Sequence, residues 1–399
     1  MSNANRSGRS ARVGPLAAKP DRTPVLAVDA LLDDPGTHII VCCGSGGVGK
    51  TTTSAALALR AAERGRKVVV LTIDPARRLA QSMGIEALDN VPRPVPGVHE
   101  GGTGSLDAMM LDMKRTFDEV VEGQATPEKA AQILANPFYQ ALSSSFAGTQ
   151  EYMAMEKLGQ LHKDALRTGR WDLIVVDTPP SRSALDFLDA PERLSSFLDG
   201  RFIRLMLAPA KGPARLMTAG FGVVTNALTK ILGAQVLRDM QTFVAAFDTL
   251  FGGFRARAQK TFELLQAPGT AFLVVAAPEP DALREAAYFV ERLNAERMPL
   301  AGLVVNRASR VPVGSMSGDQ AMAAAERLAG RTDPDGSSTI TAGLLRLHAE
   351  RTRIVARESR LRQRFAAAHP TVPTAVMPAL STDVHDLDGL RLVGELLAS

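Results

Sequence analysis

One nine-residue run constrains this chain more than any other: Gly44-Ser45-Gly46-Gly47-Val48-Gly49-Lys50-Thr51-Thr52. It follows an apolar, β-branched stretch at 38–43 and leads into a helical pattern at 51–64, so GxxxxGK[ST] occurs here in a strand–loop–helix setting. Glycines at such a turn let successive backbone N–H groups face inward, and a helix starting near Lys50 adds the positive end of its dipole. The expected occupant is the β- and γ-phosphates of a nucleoside triphosphate, with Lys50 as a point charge on them and the Thr51 hydroxyl as a ligand of Mg²⁺.

A phosphate cradle of this kind needs a carboxylate at the end of a neighbouring strand to hold the metal shell. Leu173-Ile174-Val175-Val176-Asp177 supplies four apolar residues and the acid, which makes Asp177 a metal residue acting through a water. A second acid, Asp74, ends the preceding strand in Thr72-Ile73-Asp74-Pro75-Ala76 and is placed to orient or deprotonate an attacking water. The alternative for Asp74 is a helix N-cap with Pro75 at the first helical position.

Short apolar runs recur at 38–43, 67–73, 108–113, 171–177, 271–277, 300–306 and 374–377, with helical patterns such as 281–296 between them. Runs of this length bounded by Gly, Pro or Asp read as buried parallel strands. The alternation predicts an α/β fold, a P-loop NTPase with a mostly parallel, doubly wound sheet of seven strands. About ninety residues separate Asp177 from the strand at 271, far more than a crossover helix needs. A helical insertion over about 190–265 is expected there, where Val224, Leu228, Ile231, Val236, Met240, Phe243, Phe247, Leu250 and Phe254 recur at three- and four-residue steps. A Pro- and Gly-rich insert at 90–105 and a flexible loop at about 310–340, centred on Asp333-Pro334-Asp335-Gly336, complete the plan.

Lys and Arg number 46 and Asp and Glu 42, a net +4. Five cations against one acid in residues 1–22 account for that whole surplus, so the remainder is neutral and carries no nucleic-acid footprint. Residues 1–36 read as a disordered basic tail and 37–399 as the folded unit. The two cysteines, Cys42 and Cys43, are adjacent in one strand, which provides neither a disulfide framework nor a CxxC clamp and suits a reducing cytoplasm. The longest uncharged run, 130–150, is broken by Asn136, Pro137, serines and glutamines, so no segment reads as a membrane span.

At these motifs the sequence resembles the ArsA and guided-entry ATPases, P-loop enzymes of arsenite extrusion and tail-anchored protein targeting, and is most similar to their paired actinobacterial members. The resemblance runs from about His38 onward. It rests on the P-loop, on Asp74-Pro75-Ala76, on Ala147-Gly148-Thr149-Gln150-Glu151, and on the block Asp177-Thr178-Pro179-Pro180-Ser181-Arg182-Ser183-Ala184-Leu185-Asp186-Phe187-Leu188. Pro278-Glu279, Val304-Val305-Asn306-Arg307 and Pro378-Ala379-Leu380 extend it. It implies ATP and Mg²⁺ as ligands, a nucleotide-dependent dimer with facing sites, Asp74 as the catalytic switch aspartate, Asn306 as the adenine reader, and Glu279 as the acid approaching nucleotide from the partner subunit. The alternative for Asn306 and Glu279 is a cap on the helix that follows each.

Three departures from the family pattern bear on function. Ser45 stands where the signature lysine reaches across the dimer, which favours a hetero-dimer with a lysine-bearing paralogue over a homo-dimer, or slow hydrolysis. Ser181-Arg182-Ser183 replaces a Thr-Gly-His block, with Arg182 either an arginine finger or a surface ion pair. Cys42 and Cys43 point to opposite faces of one strand, so neither an arsenite site nor a zinc clasp is available.

The insertion stripe, with Met206, Met217 and Met240, either closes on the protein's own sheet or receives a hydrophobic client helix. Arg346, Arg351, Arg353, Arg357, Arg360, Arg362 and Arg364 form either a solvated helix face or a docking face for an acidic partner or a membrane surface, making membrane contact at most peripheral. The six histidines show no metal-ligand spacing. The reading is a cytoplasmic Mg²⁺-dependent ATPase whose dimer switches to handle a client or partner protein. Its alternatives are a weakly hydrolysing regulatory subunit and a positioning ATPase of the ParA and MinD type.

Overall fold

The computed structural model describes residues 23–74, 78–98, 103–137, 139–140, 143, 149–179, 253, 256–312, 314–331 and 336–399. Its strands are β1 (Ile39–Cys43), β2 (Lys67–Thr72), β3 (Arg93–Pro94), β4 (Ser105–Met110), β5 (Leu173–Asp177), β6 (Thr270–Ala276), β7 (Leu300–Ala308) and β8 (Thr374–Pro378). They form one sheet in the order β3-β4-β2-β5-β1-β6-β7-β8. Every pairing is parallel except β3 on β4.

The described helices are α1 (Val28–Asp33), α2 (Lys50–Glu63), α3 (Arg78–Ser82), α4 (Met113–Gln124), α5 (Pro127–Leu134), α6 (Thr149–Thr168), α7 (Pro280–Ala295), α8 (Gly318–Ala329), α9 (Ser337–Ala368) and α10 (Leu387–Ala398). Residues 256–266 are also helical.

β1, β5 and β6 are buried at every position, as expected of central parallel strands covered on both faces. The chain works outward from β1 to β2 and β4 on one side, then returns to lay β6, β7 and β8 on the other. The reversal falls at β1, and ligands of open α/β sheets bind outside the carboxyl ends of strands at such a switch point. The P-loop, Asp74, Asp177 and Asn306 all lie at that edge.

All seven expected strands are present, and among the described residues the count rises to eight. The extra strand is the two-residue β3 inside the 90–105 insert, antiparallel to β4 with Arg93 opposite Ala108. Pro94 cannot donate to a ladder, which confines such a strand to the edge it occupies. The strand expected at 108–113 begins and ends three residues earlier, because Asp112 accepts from the Arg115 N–H at 2.9 Å and caps α4.

The folded unit starts before residue 37. α1 buries Val28 and Leu32, Arg60 grips Asp29 with bonds of 2.6 and 2.8 Å, and Arg64 pairs with Asp33. Leu26 N–H donates to the Thr374 carbonyl at 3.2 Å, which ties this segment to β8. Only residues 1–22 of the basic tail lie outside the described residues.

The stretch expected as a loop at 310–340 instead holds α8, opened by a reciprocal capping box between Ser317 and Gln320. α8 packs on α9 with Ala321, Ala325, Ala342 and Ala349 buried. Residues 332–335 lie outside the described set, as does the insertion stripe from Val224 to Phe254. The arginine run lies on α9, where Arg351 donates to the Arg310 carbonyl at 2.9 Å. Among the described residues no helix is long and apolar enough to cross a membrane.

Candidate nucleotide site

The P-loop is shaped by what crowds it. Gly44 has φ +148° and a Cβ there would lie 2.1 Å from the Val275 carbonyl oxygen of β6. Gly49, the residue before α2, has φ +94°, and its Cβ would lie 2.2 Å from Asn306 Nδ2. Only glycine meets both demands, a left-handed backbone and no side chain. Gly47, at φ +74°, has open space beside it. No side chain caps α2 and no acid occupies its first turn, so the positive end of its dipole is available to an anion.

Lys50 is buried, and its ammonium donates to the Ser45 carbonyl at 2.9 Å. Burial lowers its pKa, while the nearby Asp177 acts in the opposite sense. Thr51 donates to Asp177 Oδ2 at 2.8 Å, and the Thr72 hydroxyl donates to the same oxygen at 2.9 Å. Asp177 is fully buried and its Oδ1 has no hydrogen-bond partner. Burial pushes its carboxyl up to about 6, against the bonds from Thr51 and Thr72 and the charge of Lys50. A buried oxygen without a donor is the group a hydrated cation would satisfy. Thr51 Oγ1 and Asp177 therefore fit Mg²⁺, and the hard-oxygen donor set agrees with that ion. Among the described residues there is no group of three or more His, Cys, Asp or Glu that could hold another metal.

Lys50 and Thr51 open on a cavity of about 420 Å³, which Asp74, Thr178, Arg307 and His385 also line, while Asp177 stays buried and bonded to Thr51. The backbone N–H of Asp74 donates to Thr72 Oγ1 at 3.2 Å. Asn306 is buried at the end of β7, where its Nδ2 donates to the Val48 carbonyl at 2.7 Å and its Oδ1 accepts from the Arg307 N–H at 2.8 Å. The β7–β8 register slips between Val305 and Ala308, and Arg307 takes φ +61°. This bulge turns Asn306 onto the P-loop and leaves Arg307 exposed on the cavity wall.

Glu279 precedes α7, is exposed, makes no capping bond, and does not line the cavity. Residues 75–77 and the Ser181-Arg182-Ser183 block lie outside the described residues. Both cysteines are buried beneath the loop, Cys42 pushed up to about 12 and Cys43 raised too, by burial in each case, so neither is a thiolate ligand.

The motifs assign no site role to Thr72, Arg307 or the 383–385 segment, yet Arg307 and residues 383–385 line the cavity and Thr72 bonds to Asp177. Thr72 is the polar last residue of an apolar strand, and the structure sets it in register with Asp177.

The profile that describes anion-transporting ATPases matches residues 37–316. The chain belongs to that family. Membership agrees with the P-loop NTPase fold described above. The chain is 33% identical to the ATPase GET3 of Malassezia globosa over 172 residues, which is 42% of this chain and 46% of that protein. It is 31% identical to an arsenical pump-driving ATPase of Acidiphilium multivorum over 158 residues, 39% of this chain and 26% of that one. A longer match, to the ATPase get3 of Schizosaccharomyces japonicus, is 25% identical over 284 residues and spans 70% and 77% of the two chains. The chain thus spans under half the length of the first two relatives.

Proposed function

We propose that the protein hydrolyses ATP with Mg²⁺ and uses the difference between its ATP and ADP forms to switch a cytoplasmic dimer that handles a client or partner protein. The observation that carries this reading is the convergence of Lys50, Thr51 and Asp74 on one cavity, with the buried carboxylate of Asp177 bonded to Thr51 and one of its oxygens lacking a donor. P-loop N–H groups and the α2 N-terminus hold the phosphates, and Lys50 exchanges the Ser45 carbonyl for phosphate oxygen. Thr51 Oγ1 and Asp177, the latter through water, hold the metal. Mg²⁺, when bound there, would supply positive charge against the negative charge that develops on the phosphates. Asp74 orients the water for in-line attack, and Asn306 and Glu279 take the adenine and partner-facing roles. Steady-state phosphate release tests this: Asp74→Asn is expected to lose turnover by at least tenfold while still binding ATP. Equal turnover in variant and wild type overturns the role of Asp74.

A second reading is favoured by Ser45. Its hydroxyl is buried without a partner and brings no cation to the loop. The hetero-dimer reading has this chain supplying one site and a lysine-bearing paralogue completing it. Turnover that rises at least tenfold on adding the paralogue supports that arrangement; brisk turnover by the isolated chain contradicts it.

A further inference from the structure

The structure assigns Thr72 as a positioning residue that locks the backbone of Asp74 to the metal-end carboxylate Asp177; the assignment rests on the ATP-hydrolysing reading above. The Asp74 N–H reaches Thr72 Oγ1 at 3.2 Å, and that hydroxyl reaches Asp177 Oδ2 at 2.9 Å. A backbone N–H only donates and an ionised carboxylate only accepts, so the Thr72 hydroxyl has a single orientation, and the chain runs N–H to O–H to carboxylate. Thr72 is 1% exposed, so water does not substitute for either bond.

The same Asp177 oxygen also accepts from Thr51 at 2.8 Å. Two hydroxyls fix Oδ2 and leave Oδ1 without a partner. Thr51 belongs to the phosphate loop and Thr72 to the strand that carries Asp74, so one carboxylate registers the loop against that strand. Backbone pairing supports this register, since Ile73 N–H donates to the Asp177 carbonyl at 3.0 Å, and the Thr72 link adds a bond to the side chain that would share the metal shell. A shift of Asp177 on loading with Mg²⁺ and ATP is thereby transmitted to the residue that orients the attacking water. A displacement of about 1 Å at such a group is enough to cost about a hundredfold in rate.

The experiment compares wild type, Thr72→Val, Thr72→Ala and Thr72→Ser as full chains, with the partner paralogue present if the chain needs it for turnover. Amide exchange at Asp74 is expected to accelerate at least tenfold in Thr72→Val and Thr72→Ala and to remain slow in Thr72→Ser. Turnover is expected to fall ten- to a hundredfold in the first two, with ATP affinity within threefold of wild type, and to recover in Thr72→Ser. Unchanged exchange and turnover in the variants overturn the assignment. So does a loss of ATP affinity that tracks a loss of melting temperature, which marks a purely structural hydroxyl. Failure of the underlying reading is distinguishable, because wild type itself then releases no phosphate, while the difference in amide exchange at Asp74 still reports the Thr72 link.

Discussion

Asn306 donates its side-chain amide to the carbonyl of Val48 across 2.7 Å, joining the end of β7 to the middle of the phosphate loop. The two residues are 258 positions apart in sequence. This link sets the loop's shape before any ligand arrives, and Gly49 exists in its shadow.

Asn306→Ala leaves the Val48 carbonyl without its side-chain donor. A cost of about 1–3 kcal/mol in stability is expected from a buried acceptor losing its donor, with ATP affinity reduced at least tenfold. Chemical denaturation and ATP titration of the variant measure both; an unchanged affinity means the loop holds its shape without β7.

Gly49→Ala is expected to be more damaging, since it combines a left-handed backbone with a Cβ 2.2 Å from Asn306 Nδ2. The backbone strain alone is about 1–2 kcal/mol. The double variant Gly49→Ala with Asn306→Ala relieves the contact but not the strain, so its melting temperature is expected to exceed the value predicted by adding the two single losses. Strict additivity contradicts the contact.

Asp177 also makes stability pH-dependent. Its carboxyl is raised from 3.8 to about 6 in the folded protein, so between those values the native state holds a proton that the unfolded chain has lost. Stability from this group is therefore full below about pH 4 and declines as pH rises to about 6, by roughly 2–3 kcal/mol. Asp177→Asn lacks this decline. Without metal, the variant is expected to match wild type near pH 4, to exceed it above pH 6, and to lose the Mg²⁺-dependent gain in ATP affinity. Melting curves that stay parallel across that range contradict the buried-carboxylate account.

Deleting residues 23–36 removes α1, with Leu26, Val28 and Leu32 buried and the Arg60–Asp29 pair. Each buried aliphatic side chain contributes about 1.5–3 kcal/mol, so a large fall in melting temperature is expected. Deleting 1–22 is expected to leave melting unchanged. Equal melting of the two truncations refutes the earlier start of the folded unit.

The parallel core and its ligand edge were legible because strands buried on both faces must be apolar throughout and because GxxxxGK[ST] needs a strand before it and a helix after it. β3 escaped notice because two residues carry no periodicity. α1 escaped because Leu26, Val28, Leu31 and Leu32 follow a basic stretch whose composition reads as disorder. α8 is rich in alanine, and its interface with α9 is built from small side chains that give a weak apolar signal. Lys50, Thr51, Asp74 and Asp177 were found by motif. Their connection through Thr72, and the bulge that turns Asn306 onto Val48, depend on strand register, which a single sequence does not carry.

Calorimetric titration of ATP with Mg²⁺ into wild type and Lys50→Ala tests the central claim most directly. Saturable binding to wild type, weakened at least a hundredfold by loss of the Lys50 ammonium, is the predicted result. No binding to wild type, or equal binding to both proteins, contradicts it.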